Sequence, residues 1–157
     1  MHKDFGGVRD VYLPTVNDLK TSIEIIKEHT EDPVELMSEE KLEQVVESAH
    51  FLASLLQREG IGEDEMVLLV AAKMFYEIIL LHPLTDGNKR FATLVYLTML
   101  KVNNLLFEFH ELIGEMVLEI AVRLASNPRD WNDVSKYFIE LGKAVKSYSK
   151  SLEGFPL

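Results

Sequence analysis

Residues 66–81 form the most apolar stretch of the chain, with the sequence MVLLVAAKMFYEIILL. Only Lys73 and Glu77 interrupt it, so a helix through this stretch has hydrophobic side chains on nearly every face. A helix of this kind is buried on most sides by its neighbours, whereas a membrane span would need a longer run with fewer charges. The pattern predicts a central helix around which the remaining elements pack.

Five further segments repeat their apolar residues at the spacing of an amphipathic helix. The first is predicted to begin at Thr15, because Thr15 and Asp18 match a capping box, and to run for about fifteen residues. Ser38 and Asp130 are the predicted N-caps of the second and the last of these helices. The predicted stops are Gly60 to Gly62, Asn103-Asn104 and Asn127-Pro128, and residues 105–109 are predicted to be a short apolar segment able to extend.

Together these patterns predict an all-α bundle around the central helix, organised as one domain over residues 1–157. The helical core is expected over about 14–142. It is preceded by an irregular arm at 1–13, which Gly6-Gly7 interrupts, and followed by a tail at 143–157.

The composition narrows the classes of function. A formal net charge of −10 disfavours non-specific nucleic-acid binding, which depends on Lys and Arg neutralising phosphates. The absence of cysteine excludes a disulfide framework and a thiolate zinc site, and it is compatible with a reducing cytoplasm, the expected location. The first residues contain no apolar signal-peptide region. The expected partners are therefore a protein and a nucleotide, with neither nucleic acid nor a membrane.

A polar turn at residues 82–90, HPLTDGNKR, separates the central helix from the next one. Since a residue before proline is pushed out of the α region, His82 should end the central helix with its imidazole turned off the axis. Gly87 permits a positive φ in the turn, and Asn88 or Asp86 is the predicted N-cap of the following helix. The chemically specific residues of the chain lie in this turn.

Two cations, Lys89 and Arg90, fall in the first turn of that following helix. The helix dipole disfavours positive charge there by about 0.3–1 kcal/mol for each residue, so a bound anion is expected to offset the cost. The backbone N–H groups of Gly87, Asn88 and Lys89, together with the two cationic side chains, predict a phosphate-binding cradle.

Asp86 lies beside this cradle, although its carboxylate would repel a phosphate unless a divalent cation such as Mg²⁺ bridges the two. His82 faces the same pocket and is the side chain able to accept a proton near neutral pH. These residues predict phosphoryl-group chemistry on a hydroxyl, with a divalent cation such as Mg²⁺ as cofactor. A bare metal hydrolase is a weaker alternative, because His82 and Asp86 lack a nearby third ligand.

The turn resembles the signature of the Fic/Doc (Fido) superfamily, in which it matches the His, Asp, Gly, Asn and Arg positions. Leu84 stands where phenylalanine is usual. The resemblance covers about 14–142 and implies a Fido-type helical bundle, with the motif loop at the start of the helix after the central one. It also implies a transferase that moves a phosphate-containing group to a protein hydroxyl, with ATP or another nucleoside triphosphate as co-substrate and His82 as the catalytic base.

Two positions resemble the Doc branch, the toxins similar to death-on-curing proteins. Lys89 replaces the glycine that is usual in Fic-type adenylyltransferases, and Thr93 stands at the position of their second arginine. The Doc branch phosphorylates a translation elongation factor, so the resemblance implies protein phosphorylation and an antitoxin as a candidate partner. The alternatives are protein adenylylation (AMPylation), or a catalytically silent module that binds a nucleotide or a partner.

Two further segments have roles that only the resemblance implies. Residues 30–37 correspond to a flap along which the family holds its target as an extended strand, and a plain helix connector is an equal alternative. In the tail, Ser149 to Gly154 matches a short S/T-x-x-x-E-G/N pattern of autoinhibition, whose glutamate pairs with the second arginine. Because Thr93 replaces that arginine, Glu153 has no matched partner, and autoinhibition through Ser149 and Glu153 is the less favoured interpretation.

Overall fold

The structure is a computed structural model that describes the backbone of residues 4–5, 8–9, 11–106 and 111–153, and the side chains of residues 11–106, 111 and 113–143. Within these ranges the predicted all-α fold is confirmed, with one pair of two-residue strands in addition to the helices. In chain order the elements are β1 (Asp4–Phe5), β2 (Val8–Arg9), α1 (Val16–Glu28), α2 (Glu39–Arg58), α3 (Glu63–Leu81), α4 (Asn88–Val102), α5 (Glu111–Ser126) and α6 (Trp131–Glu153).

Helix α3 is the central helix that the apolar pattern predicted. It packs against α2, α4, α5 and α6. It begins at Glu63, slightly before the expected start at residue 66, because its first turn is acidic and suits the positive end of the helix dipole. The rings of Phe75, Tyr96 and Phe138 meet beside it, with centroid separations of 5.0 to 6.1 Å, so α3, α4 and α6 share one aromatic core.

Three predicted N-caps are confirmed. Thr15 accepts a hydrogen bond from the N–H of Asp18 at 3.2 Å, and the Asp18 carboxylate accepts one from the N–H of Thr15 at 2.9 Å, which completes the capping box. Ser38 and Asp130 accept hydrogen bonds from backbone N–H groups three residues further on, at 3.2 and 3.1 Å. These local signals therefore set where α1, α2 and α6 begin.

The N-cap predicted for α4 is wrong. Gly87 occupies the cap position with φ of 80°, and no side chain caps the helix. Asn88 is already the first helical residue, and its side chain bonds to the preceding loop instead of to the helix. Asp86 accepts a hydrogen bond from the adjacent N–H of Gly87, which lies before the helix begins.

Two further predictions concern segments near the ends of the chain. The arm predicted to be irregular contains an antiparallel pair, with β1 opposite β2, and the Gly-Gly dipeptide between them in the sequence is one favoured between paired strands. Gly6 and Gly7 themselves lie outside the described residues, as do residues 107–109 of the segment expected to extend. Helix α6 continues through Ser149 and Glu153, whose side chains also lie outside the described part, so their autoinhibitory role stays a prediction.

Among the described helices, none combines the length and the apolar character needed to cross a bilayer.

Candidate active site

His82 ends the central helix in the left-handed region, with φ of 51° and ψ of 62°, and its side chain is exposed. Its backbone N–H still donates to the carbonyl of Ile78 at 3.1 Å, so the chain leaves the helix at this residue. This confirms that the residue before Pro83 departs from the α region. A non-glycine residue at positive φ costs on the order of 1–3 kcal/mol and persists where the surroundings enforce it. Here the next two residues, Pro83 and Leu84, are buried and hold the turn in place.

Asn88 fixes the shape of the loop that follows His82. Its Oδ1 accepts from the N–H of Leu84 at 3.0 Å, and its Nδ2 donates to the carbonyl of Leu84, also at 3.0 Å. Because the two bonds use both ends of the amide, they determine the orientation of the side chain. In that orientation Nδ2 lies 3.5 Å from Nδ1 of His82, at the limit of hydrogen bonding. Asn88 thus connects the start of α4 to the imidazole.

Asp86 and Gly87 immediately precede the first residue of α4. Asp86 is exposed, and its Oδ1 accepts from the N–H of Gly87 at 2.8 Å. The first helical bond runs from the N–H of Phe91 to the carbonyl of Gly87 at 2.9 Å. Helix geometry leaves the N–H groups of residues 88–90 without intrahelical acceptors, and no other described residue accepts from them. Of the three amides predicted for the cradle, the one of Gly87 is therefore already bonded, and those of Asn88 and Lys89 remain.

The two cations of the cradle differ in their surroundings. Arg90 turns back towards the segment before α2, where its Nη1 donates to Oγ1 of Thr30 at 3.4 Å and its Nη2 lies 3.8 Å from Oδ2 of Asp32. Lys89 is exposed, and no described carboxylate lies within ion-pair distance of it. The first turn of α4 contains no acidic residue. The first turn of α4 thus contains two cations and no acidic residue, with the Asp32 carboxylate close to one of them.

Residues 30–37 lie directly on the motif loop. The N–H of Met37 donates to the carbonyl of Pro83 at 2.8 Å, and the N–H of Thr85 donates to the carbonyl of Glu35 at 2.9 Å, around an antiparallel bridge between Leu36 and Leu84. This extended pairing supports the flap interpretation of the segment over a plain connector. Binding of a target along it stays a prediction.

Thr85 is a site residue that the sequence did not reveal. Its hydroxyl accepts from the N–H of Glu35 at 3.0 Å and donates to the carbonyl of Pro33 at 3.4 Å, so it continues the backbone pairing with its side chain. Its partners lie about fifty positions earlier in the chain, and no local pattern around Thr85 indicates them.

A groove beside the cradle runs between α4 and α5 and has a volume of about 420 Å³. Its lining is mostly apolar, and it reaches Arg90 at one end and Glu111 on α5. Thr93 also lines it; this side chain is buried, and its hydroxyl donates to the carbonyl of Lys89 at 2.8 Å. A larger pocket of about 550 Å³, between α5 and α6, contains none of the residues of the motif loop. We define the first groove, lined by Arg90, Thr93, Leu94, Leu97, Glu111, Gly114 and Leu118, as the α4–α5 pocket.

Asp86 is the carboxylate of the motif loop that would hold a magnesium ion. Mg²⁺ commonly binds one or two carboxylates and completes its octahedron with phosphate oxygens and water. An exposed carboxylate on the motif loop, next to the predicted cradle, fits that pattern. The described residues contain no cluster of three His, Cys, Asp or Glu side chains arranged to hold a metal ion without such a substrate.

Comparison with known proteins identified one family. The model of the Fic/DOC family matches residues 12–100, which is more than half of the chain. The matched part includes the flap segment, the central helix α3 and the whole turn from His82 to Arg90. Searches among curated proteins and among solved structures found no significant match.

Proposed function

Since the chain belongs to the Fic/DOC family, we propose that it transfers the γ-phosphate of a nucleoside triphosphate to a hydroxyl group of a target protein. The observation that carries this proposal is the set of charged side chains and backbone N–H groups at the start of α4. Two cations and three backbone N–H groups that have no acceptor among the described residues lie in one helical turn. The side chain of Asn88 connects that turn to the exposed imidazole of His82.

In this proposal the first turn of α4 binds the phosphates. The N–H groups of Asn88 and Lys89 point out of the positive end of the helix, and the side chains of Lys89 and Arg90 add two positive charges. Asp86 would hold Mg²⁺, which neutralises phosphate charge when bound. The cost of placing cations at a helix N-terminus is thereby offset by the bound anion.

His82 is the proposed general base. It takes the proton from a Ser, Thr or Tyr hydroxyl as the oxygen forms a bond to the γ-phosphorus, and the bond between that phosphorus and the β–γ bridging oxygen breaks. The products are the phosphorylated protein and the nucleoside diphosphate. Asn88 positions the imidazole by fixing the loop that carries it.

Lys89 and Thr93 favour phosphorylation over adenylylation. A glycine at position 89 would let the chain approach a diphosphate closely, whereas a lysine obstructs that approach and adds a charge. Thr93 supplies no second cation, because the threonine side chain is uncharged, and its hydroxyl donates to the carbonyl of Lys89. A nucleotide lying with its γ-phosphate towards His82 suits this arrangement better than one presenting its α-phosphate.

The flap supplies a surface for the target. The carbonyl of Glu35 and the N–H of Met37 form hydrogen bonds with the motif loop. In an extended segment, the N–H and C=O groups of Val34 and Leu36 therefore face the opposite edge. No described residue pairs with that edge. We propose that an extended segment of the target adds to it and thereby presents its hydroxyl to His82.

The product decides between the two transfer reactions. The protein is incubated with Mg²⁺, cell extract and ATP labelled at either the γ- or the α-phosphate. The intact mass of the modified target is then measured by mass spectrometry. Label from the γ-position and a mass gain of one phosphate are expected. Label from the α-position and a gain of an adenylyl group would show adenylylation instead, and Lys89→Gly should shift the product in that direction if the lysine determines the orientation.

Asp86 is tested separately through its metal dependence. Asp86→Ala should lose Mg²⁺-dependent transfer, because its carboxylate is the proposed metal ligand. Transfer by the parent protein that persists in excess chelator would contradict this role.

A further inference from the structure

We infer that the cavity between α5 and α6 is a second binding site, which takes a small molecule with an apolar body and one carboxylate. We call this cavity the α5–α6 pocket; all of its described lining residues lie between positions 120 and 138. It is therefore outside the motif loop and beyond residues 12–100, the part of the chain that matches the family model. The inference does not depend on the proposed function.

The floor of the pocket is apolar. Leu124 of α5 and Val134 and Phe138 of α6 are buried there, and Ile120 is half-buried. The volume of about 550 Å³ lies within the usual range of small-molecule sites, about 300–1,000 Å³. The floor can thus receive an aliphatic chain or an aromatic ring.

Two large hydrophobic side chains at the pocket stay in contact with water. Val122 and Tyr137 both line it, yet they are 41% and 57% exposed. Single exposed hydrophobic residues are ordinary on a protein surface, whereas a group of them around a cavity is typical of a binding site. A ligand with an apolar body would remove both side chains from water.

Positive charge is concentrated at this pocket. Between Lys101 and Lys136 the sequence contains two Lys or Arg residues, Arg123 and Arg129, and both line the pocket. Of the acidic residues in that stretch whose side chains the structure describes, only Asp133 lines it. The described lining therefore has one positive charge in excess, although the net charge of the chain is −10. A ligand with a single negative charge balances it.

Arg129 is the better placed of the two cations. Arg123 already has a partner, since its Nε lies 3.1 Å from Oε1 of Glu119. No described carboxylate lies within ion-pair distance of Arg129. A guanidinium can bind a carboxylate through two parallel hydrogen bonds, which makes Arg129 the expected contact for the charged end of the ligand.

The backbone at Arg129 is held in place by the central helix. The carbonyl of Arg129 accepts a hydrogen bond from the hydroxyl of Tyr76 at 2.9 Å, and the ring of Tyr76 lies 5.5 Å from that of Trp131. The connection between α5 and α6 is thus fixed on both sides of Arg129. A pocket whose edge is already ordered loses less entropy when it binds a ligand.

The first experiment compares three probes that share one apolar chain and differ in the end group. Binding of decanoate, decanol and decylammonium to the full chain, below their micellar concentrations, is measured by calorimetry. Decanoate should bind about tenfold or more tightly than decanol, because a hydrogen bond to a charged group is lost with the alcohol. Decylammonium should bind more weakly than decanoate as well, since the lining has an excess positive charge.

Two pairs of variants locate the site. Arg129→Met removes the charge and should weaken decanoate binding by about tenfold or more. Its control is Arg58→Met, which removes an exposed arginine at the end of α2, away from the pocket. Val122→Asp places a negative charge at the pocket and should also weaken binding. Val102→Asp is its control, because Val102 is likewise 41% exposed and near the end of a helix but does not line the pocket.

Every altered position is exposed, so the variants should fold, and circular dichroism checks that they do. Equal affinities for decanoate, decanol and decylammonium would overturn the inference, as would a parent protein that does not bind decanoate. Decanoate binding that is unchanged in either Arg129→Met or Val122→Asp would place the ligand elsewhere and overturn it too. None of these results bears on the phosphate cradle, because the probes contain neither a phosphate nor a nucleoside.

Discussion

Helix α2 has Ser38 at its N-cap position, where the hydroxyl caps the helix, and two glutamates follow in the first turn. Helix α4 has Gly87 at its N-cap position, which provides no side-chain cap, and its first turn contains Lys89 and Arg90. A serine cap contributes about 1 kcal/mol, and charges of the favourable sign add about 0.3–1 kcal/mol each. The start of α2 has the features that stabilise a helix by itself, whereas the start of α4 lacks all of them. A helix end of the second kind is suited to binding an anion.

The largest effect is expected at His82, next to the unusual helix start. His82→Ala should reduce transfer to a protein by about 10²–10⁴-fold, because it removes the proposed general base. ATP binding should stay nearly unchanged, since the phosphates are held by α4. The measurements are label transfer and calorimetry on the same preparation. Full transfer by the variant would remove the base assignment.

The next prediction compares how strongly ATP binding depends on a cation at the start of α4 and on one at the start of α2. Arg90→Ala should weaken ATP binding by about 10–100-fold, in line with about 1.5–3 kcal/mol for hydrogen bonds to charged groups. Lys41→Ala is the control, because Lys41 also lies in the first turn of its helix, α2, but away from the motif loop. Equal ATP affinities for the parent and Arg90→Ala would show that the cradle is assigned wrongly.

A third change should make the start of α4 resemble that of α2. Lys89→Glu places an acidic residue at the positive end of the dipole, so it should raise the free energy of unfolding by up to about 1 kcal/mol while weakening ATP binding. Ser38→Ala should do the opposite at α2 and lower the free energy of unfolding by about 1 kcal/mol, with ATP binding unchanged. Urea unfolding and calorimetry measure both quantities. A less stable Lys89→Glu would show that the lysine supports the fold.

The smallest effect is expected at the contact between the flap and the cradle. Asp32 lies 3.8 Å from Arg90 and competes with phosphate for the guanidinium. Both side chains are substantially exposed, so the pair is worth only about 0.2–1 kcal/mol, and Asp32→Asn should tighten ATP binding by about fivefold at most.

The control for this prediction is Glu31→Gln, which removes the same charge from a neighbouring residue that pairs with no described cation. If both variants tighten ATP binding equally, the cause is the general charge of the segment, and the contact between Asp32 and Arg90 has no specific role.

Much of this site could be predicted because its residues are consecutive in the chain. His82, Asp86, Lys89 and Arg90 lie within one turn between two strongly helical segments, so their neighbourhood follows from chain connectivity. The N-cap of α4 could not be predicted in the same way. Asn88 and Asp86 are both good capping residues, but Asn88 forms its bonds with Leu84 once the loop is folded. Capping propensity was overruled by a contact within the folded loop, between residues four positions apart in the chain.

The sequence by itself determined the central helix, the caps at Thr15, Ser38 and Asp130, and the positively charged turn after α3. Each of these depends on residues within a few positions of one another, through apolar periodicity, capping bonds or the helix dipole. Only the tertiary structure decided that Thr85 holds the flap, that Arg90 meets Asp32, and that α4 and α5 enclose a pocket next to the cradle. Those contacts join residues far apart in the chain, and their geometry depends on how the helices pack around α3.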